Sequence, residues 1–242
     1  VVREIMRNLP NERIVYFGDT ARVPYGSKSK NTVLRYSRQI VRFLQTKKVK
    51  AIVVACNTAS ALALDEIETE FDIPIIGVVK PGAHVATKTT VKKRIGVIAT
   101  ESTIQSNLYP TLIRKEAPDI TVFGKACPLF VPLVEEGWTK DPITYEVARR
   151  YLAELLEKDI DTLIMGCTHY PLLRSLLREV VGEKITLVNP AYETSQALKR
   201  LLRELELENP QPYWEKQESN DEKYRFFSSD GVERFNAFAN SV

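Results

Sequence analysis

The chain has 242 residues, 44% of them hydrophobic and 27% charged, which excludes a disordered or fibrous polypeptide and leaves room for one large or two small folded domains. Its 34 basic and 31 acidic residues give a formal net charge of +3, too weak a field to argue for nucleic acid or an anionic membrane as partner. No apolar run approaches the ~18 residues of a membrane span, Val1-Val2-Arg3-Glu4 has no signal-peptide pattern, and the three cysteines read as reduced thiols, so a cytoplasmic protein is expected.

The chain opens on an amphipathic helix, with Val2, Ile5, Met6 and Leu9 at helical spacing. A helix under way at Val1 leads us to expect a segment upstream. Short runs rich in Val and Ile then predict strands at 13–17, 51–54, 73–79, 95–99, 120–123, 162–165, 185–188 and 224–227. Helices are predicted between them at 32–45, 59–71, 145–158, 171–180 and 193–205. The polar stretch 209–223, with Pro210 and Pro212, reads as a surface loop. Asp230-Gly-Val-Glu233 reads as a capping box opening a last helix, with Phe235 and Phe238 on its apolar side. Strands alternating with helices argue for α/β architecture with mainly parallel sheets.

One internal echo stands out. Ile52-Val-Val-Ala-Cys56-Asn-Thr-Ala is matched by Leu163-Ile-Met-Gly-Cys167-Thr-His-Tyr: an apolar strand, a small residue, Cys, then polar residues opening a helix. The repeat suggests two similar α/β lobes. Ligands of open α/β sheets bind beyond the carboxyl ends of the strands, where both cysteines stand. A following helix N-terminus is expected to favour the thiolate of each.

A free cysteine is often only a small buried hydrophobe, and that reading suits Cys127 in Ala126-Cys-Pro-Leu129. Two cysteines in matching polar settings argue for chemistry. Zinc is a weak rival, since Cys167 and His169 lack the usual further ligands and the chain has only two His. A phosphatase loop fails by register, because Leu173 stands six residues after Cys167 and Arg174 comes one step late. Two opposed thiols suit proton transfer at a stereocentre, one removing a proton from one face of a carbon and the other supplying the opposite face.

At these residues the sequence resembles the glutamate racemase family over nearly its whole length. The motifs are Gly18-Asp-Thr-Ala-Arg-Val-Pro-Tyr-Gly26, Val54-Ala-Cys-Asn-Thr-Ala-Ser60, Cys127-Pro-Leu-Phe-Val-Pro-Leu-Val-Glu135 and Gly166-Cys-Thr-His-Tyr-Pro171. Racemases of aspartate and other acids share the Cys-Asn-Thr and Gly-Cys-Thr elements, whereas His169-Tyr-Pro resembles the glutamate branch. The resemblance implies two pseudo-symmetric, doubly wound lobes with the active site in the cleft between them. Residues 1–79 with 191–242 would form the first lobe, and 80–190 the second. It further implies a cofactor-independent isomerase without a metal, acting on glutamate as a homodimer and supplying D-glutamate for peptidoglycan.

By the same resemblance Cys56 and Cys167 are the two catalytic thiols, and His169 and Glu135 assist the second. Pro24, Tyr25, Gly26, Asn57, Thr58, Thr100, Thr103 and Thr168 match positions that bind substrate. Plainer readings stand beside these: a turn at Tyr25-Gly26, helix capping by Thr100 and Thr103, a core histidine at His169, and surface charge at Glu135. The family also opens with a strand and an Asp-Ser-Gly loop that serve the first thiol. Neither precedes Val1, so an N-terminal truncation is expected. The competing functions are racemisation of aspartate or another amino acid, a catalytically silent small-molecule binding protein on the same fold, and a thiol redox protein. The last lacks a C-x-x-C pair to resolve an oxidised thiol.

Overall fold

Each predicted strand forms, because a parallel strand covered on both faces needs apolar residues along its whole length. In the computed structural model, which describes residues 1–210 and 223–231, the strands are β1 (Ile14–Gly18), β2 (Ile52–Val54), β3 (Ile75–Gly77), β4 (Arg94–Ala99), β5 (Thr121–Ala126), β6 (Thr162–Gly166), β7 (Thr186–Val188) and β8 (Tyr224–Ser228). All ladders among the described residues are parallel.

Four of these strands make one sheet in the order β5-β4-β6-β7. Its side chains alternate between two cores. Ile98, Leu163 and Met165 pack toward α8 (Phe130–Glu135), α9 (Pro142–Leu156) and α10 (Arg174–Val181). Ile95, Val97 and Ile164 pack toward α5 (Val79–Thr89) and α7 (Leu108–Glu116). Helices on both faces make this a doubly wound sheet. Each fully enclosed Ile or Leu contributes about 2 kcal/mol by leaving water.

The remaining strands form two pairs, β1-β8 and β2-β3, which share the same two helical layers. Val15, Phe17, Ile52, Val54 and Ile75 pack toward α2 (Lys30–Thr46), α3 (Asn57–Leu62) and α4 (Leu64–Glu70). Ile14, Val53 and Ile76 face α1 (Val2–Asn8) and α11 (Pro190–Glu204). The alternation is that of a single covered sheet, although no ladder joins β1 to β2 among the described residues. Strand β8 pairs in register with β1, Ile14 opposite Tyr224 and Gly18 opposite Ser228. The C-terminal part of the chain thus returns to the N-terminal part.

The helices depart from expectation in identifiable ways. The predicted helix at 59–71 is two helices, α3 and α4, broken at Ala63. The predicted helix at 171–180 begins instead with a 3-10 turn, Tyr170–Leu173, before α10. Helices α5, α7 and α8 were not expected, whereas α6 (Glu101–Gln105) is the helix after β4 that Thr100 was read as capping, and Thr100 is its N-cap residue. Pro81 and Gly82 in α5, Pro110 in α7 and Pro132 in α8 depress local propensity, and packing on the four-stranded sheet overrides it. By contrast α2 matches its prediction, capped by the Ser29 side chain accepting from Thr32 N–H and burying Val33, Leu34, Val41 and Leu44. The predicted final helix after Asp230 and most of the 209–223 loop lie outside the described residues. No helix among the described residues is long and apolar enough to cross a membrane.

Candidate active site

Cys56 follows the carboxyl end of β2 and is the N-cap of α3. Its Sγ accepts the Ala59 N–H at 3.5 Å, and Thr58 adds backbone and hydroxyl hydrogen bonds. These donors favour the thiolate. Removal from water outweighs them, and the Cys56 pKa is raised above the ordinary thiol value.

Cys167 follows β6 in the other sheet and is 7% exposed. The backbone N–H groups of His169, Tyr170 and Thr168 converge on its sulfur. Burial, with the neighbouring charge of Cys56, nevertheless pushes this thiol up to about 12. The charge of Cys56 is thus felt at Cys167, although the two stand on different sheets. The expected lowering of both thiols therefore does not occur, for a physical reason. A six-residue α3 and a 3-10 turn offer weak dipoles, and desolvation prevails.

His169 and Glu135 join the Cys167 side. The His169 Nδ1 lies 3.9 Å from the Cys167 Sγ, and its Nε2 lies 3.3 Å from Glu135 Oε1 at the end of α8. The loop is fixed beneath them by Tyr170, whose hydroxyl donates to the Cys127 carbonyl at 2.8 Å and whose ring meets Phe130 edge-on. Cys127 is fully enclosed in the core. Burial raises its pKa as well, and its role is packing. Thr168 is exposed between Cys167 and His169.

The Cys56 side is built from hydroxyls and a turn. Thr58 Oγ1 lies 2.9 Å from Thr100 Oγ1 and 3.3 Å from Thr103 Oγ1, and the last two are 3.0 Å apart. These three buried hydroxyls close a triangle between α3 and α6. Pro24 is exposed and leads into the 3-10 turn Tyr25–Ser27. The Tyr25 hydroxyl donates to Asp19, which also accepts from Arg22 Nε at 2.7 Å. With that hydroxyl committed, the turn has its backbone N–H groups to offer. Gly26 is required here, because a Cβ would lie 2.6 Å from the Thr100 Cβ. Ser102 Oγ donates to the Gly26 carbonyl at 2.7 Å and clamps the turn to α6.

Asn57 is buried, and its Oδ1 accepts from the Tyr109 hydroxyl at 2.7 Å. Cys56, Asn57, Thr58, Tyr25, Gly26, Thr100 and Thr103 thus form one connected group, and Cys167, His169 and Glu135 form a second. Asp19, Ser102 and Tyr109 were missed by sequence reasoning. Ser102 and Tyr109 act across 76 and 52 residues, and no local pattern marks them. Among the described residues, no three His, Cys, Asp or Glu side chains are grouped to hold a metal ion. Chemically, the arrangement sets two protonated thiols against a lining of hydroxyls, amides and backbone donors suited to a carboxylate.

Comparison with known proteins gives the same direction. Residues 1–198 match the model of the Asp/Glu/Hydantoin racemase family. A glutamate racemase of Geobacter metallireducens is 50% identical over 87% of this chain and 78% of its own length. In structure, glutamate racemase isoform RacE1 from Bacillus anthracis superposes with a TM-score of 0.93 at 38% identity, covering 100% of this chain and 88% of that one. Glutamate racemase from Francisella tularensis, solved in complex with D-glutamate, gives 0.88 at 38% identity, covering 99% and 87%.

Proposed function

The chain belongs to the Asp/Glu/Hydantoin racemase family, and from that premise we propose that it interconverts L- and D-glutamate without a cofactor, using Cys56 and Cys167 as the two acid–base groups. The observation that carries this reading is the pair of thiols at the carboxyl ends of strands from two different sheets, with the charge of Cys56 felt at Cys167. One thiolate removes the α-proton and becomes a thiol. The opposite thiol delivers a proton to the other face and becomes a thiolate, so inversion follows from geometry. Both thiols rest protonated at neutral pH, and the ammonium group of a bound amino acid is the cation that favours ionising one of them.

His169 and Glu135 serve the proton traffic of Cys167. Tyr25 and Gly26, with Pro24 ahead of them, and Asn57, Thr58, Thr100, Thr103 and Thr168 hold the carboxylates and amino group and stabilise the carbanion character that develops at the α-carbon. Residues 1–79 with 191–210 and 223–231 form one lobe and 80–190 the other, with the cleft between them. The enzyme works as a cytoplasmic homodimer that supplies D-glutamate for peptidoglycan. Its test is exchange of the α-hydrogen of L- and D-glutamate, and of L- and D-aspartate, with solvent deuterium, run beside Cys56→Ser and Cys167→Ser. Exchange with inversion in the parent and its loss in each variant is the expected result. A folded parent that exchanges only aspartate replaces the substrate, and one that exchanges neither removes the racemase reading.

A further inference from the structure

We infer that Tyr109 is a positioning residue: its hydroxyl holds the Asn57 amide with the Nδ2 donors turned to the cleft, while its ring braces the strand end that carries Cys167. The inference rests on the racemase reading for the use of those donors, and on geometry for everything else. Tyr109 lies on α7, is 2% exposed, and belongs to the core beneath the four-stranded sheet. A hydroxyl so buried needs an acceptor. Among the described residues it has one, the Asn57 Oδ1 at 2.7 Å.

That bond decides the direction of the amide. With Oδ1 turned to Tyr109, the Nδ2 group must point the other way, since the reverse flip would leave the tyrosine proton without a partner. No protein acceptor among the described residues takes the Nδ2 hydrogens, and the group is not sealed from solvent. The outcome is an oriented two-hydrogen donor on the residue next to Cys56, of the kind that receives a carboxylate oxygen of an amino acid.

The ring makes the second connection. A Cβ built on Gly166, the residue before Cys167, would lie 3.2 Å from Tyr109 Cε2 and 2.9 Å from the Ile98 carbonyl. One built on Gly82 would lie 3.3 Å from the Tyr109 hydroxyl. The ring is therefore held closely by the end of β6 and by α5. The ionised form of Cys167 is one of the causes that raise the Tyr109 pKa, after burial, in keeping with this proximity. Tyr109 touches the neighbour of each thiol. Phenylalanine would fill the same space, so the hydroxyl is needed for Asn57 alone.

The experiment is a double-mutant cycle of Tyr109→Phe and Asn57→Ala in the full chain, reading kcat and KM for both glutamate enantiomers together with Tm. Tyr109→Phe is expected to lower kcat/KM about tenfold, the effect of one lost hydrogen bond, and to cost nothing further in the Asn57→Ala background. Equal losses in both backgrounds, or no loss in either, would overturn the positioning role. If the parent does not turn glutamate over, the racemase reading fails by itself. The Asn57 side-chain amide signals of 15N-labelled protein, identified by their absence in Asn57→Ala, then decide the inference. Displaced signals in Tyr109→Phe support it, and unmoved signals overturn it.

Discussion

The surroundings of Cys56 and Cys167 start from one pattern and end in different chemistry. Both thiols stand at the carboxyl end of a parallel strand after a small residue, and burial holds both protonated at neutral pH. Beyond that the likeness stops. Cys56 caps a helix and is surrounded by hydroxyls and an amide that do not titrate near neutrality, chiefly Thr58 and Asn57. Cys167 opens into a 3-10 turn and has His169 and Glu135 lined up behind it. A repeated scaffold fixes where the thiols sit, and different side chains surround each sulfur. Under the proposed racemisation, the two faces of one carbon would meet unequal partners.

Removing either sulfur tests what the two sides share. Cys56→Ser and Cys167→Ser are each expected to lower kcat for racemisation by ~10³-fold in both directions, since a proton must be taken on one side and given on the other. A variant retaining more than a tenth of parental inversion would break the equivalence. His169→Asn tests where they differ, with an expected ~10²-fold loss and a larger deuterium isotope effect in the direction that uses Cys167 as base. Equal effects in both directions would mean that His169 serves the whole site.

Glu135→Gln is expected to cost less, about two- to fivefold, because its carboxylate is 43% exposed and its contact with His169 is screened by solvent. Activity unchanged by the amide would reduce Glu135 to surface charge. The remaining effect is on stability, and it appears only in alkali. The Cys167 pKa rises on folding from an ordinary 9.0 to about 12, so its contribution is intact below pH 9 and is lost as pH climbs from 9 toward 12. Thermal melting of the parent should therefore fall more steeply over that range than melting of Cys167→Ser. Parallel curves would contradict the raised value.

Strand positions were legible because burial on both faces leaves an uninterrupted Val/Ile signature, as in Ile95 to Ala99 and Thr162 to Met165. The cysteines were legible because the echo around them is local. Helices α5, α7 and α8 were not, since Pro81, Gly82, Pro110 and Pro132 read as breakers and only the sheet beneath supplies the compensation. Asn107, in the left-handed region at φ +56°, separates α6 from α7 and blurs the period further. In the site, residues contiguous with a cysteine could be named from sequence. Asp19, Ser102 and Tyr109 could not, because their roles exist only once distant segments meet. The protonation of the thiols also eluded sequence reasoning, which sees a helix start but not how much water burial removes.

The triangle of Thr58, Thr100 and Thr103 has one more consequence. While Cys56 is protonated and takes no hydrogen from Thr58, each hydroxyl can donate once and accept once within the ring, and either atom of every pair can be the donor. The hydrogens can therefore circulate in either sense around an unchanged set of oxygens. Reversing that sense needs only torsional rotation of three O–H bonds. The seam between α3 and α6 is thus rigid in its heavy atoms and reversible in its polarity, a two-way signpost that can be reset without repacking a single side chain.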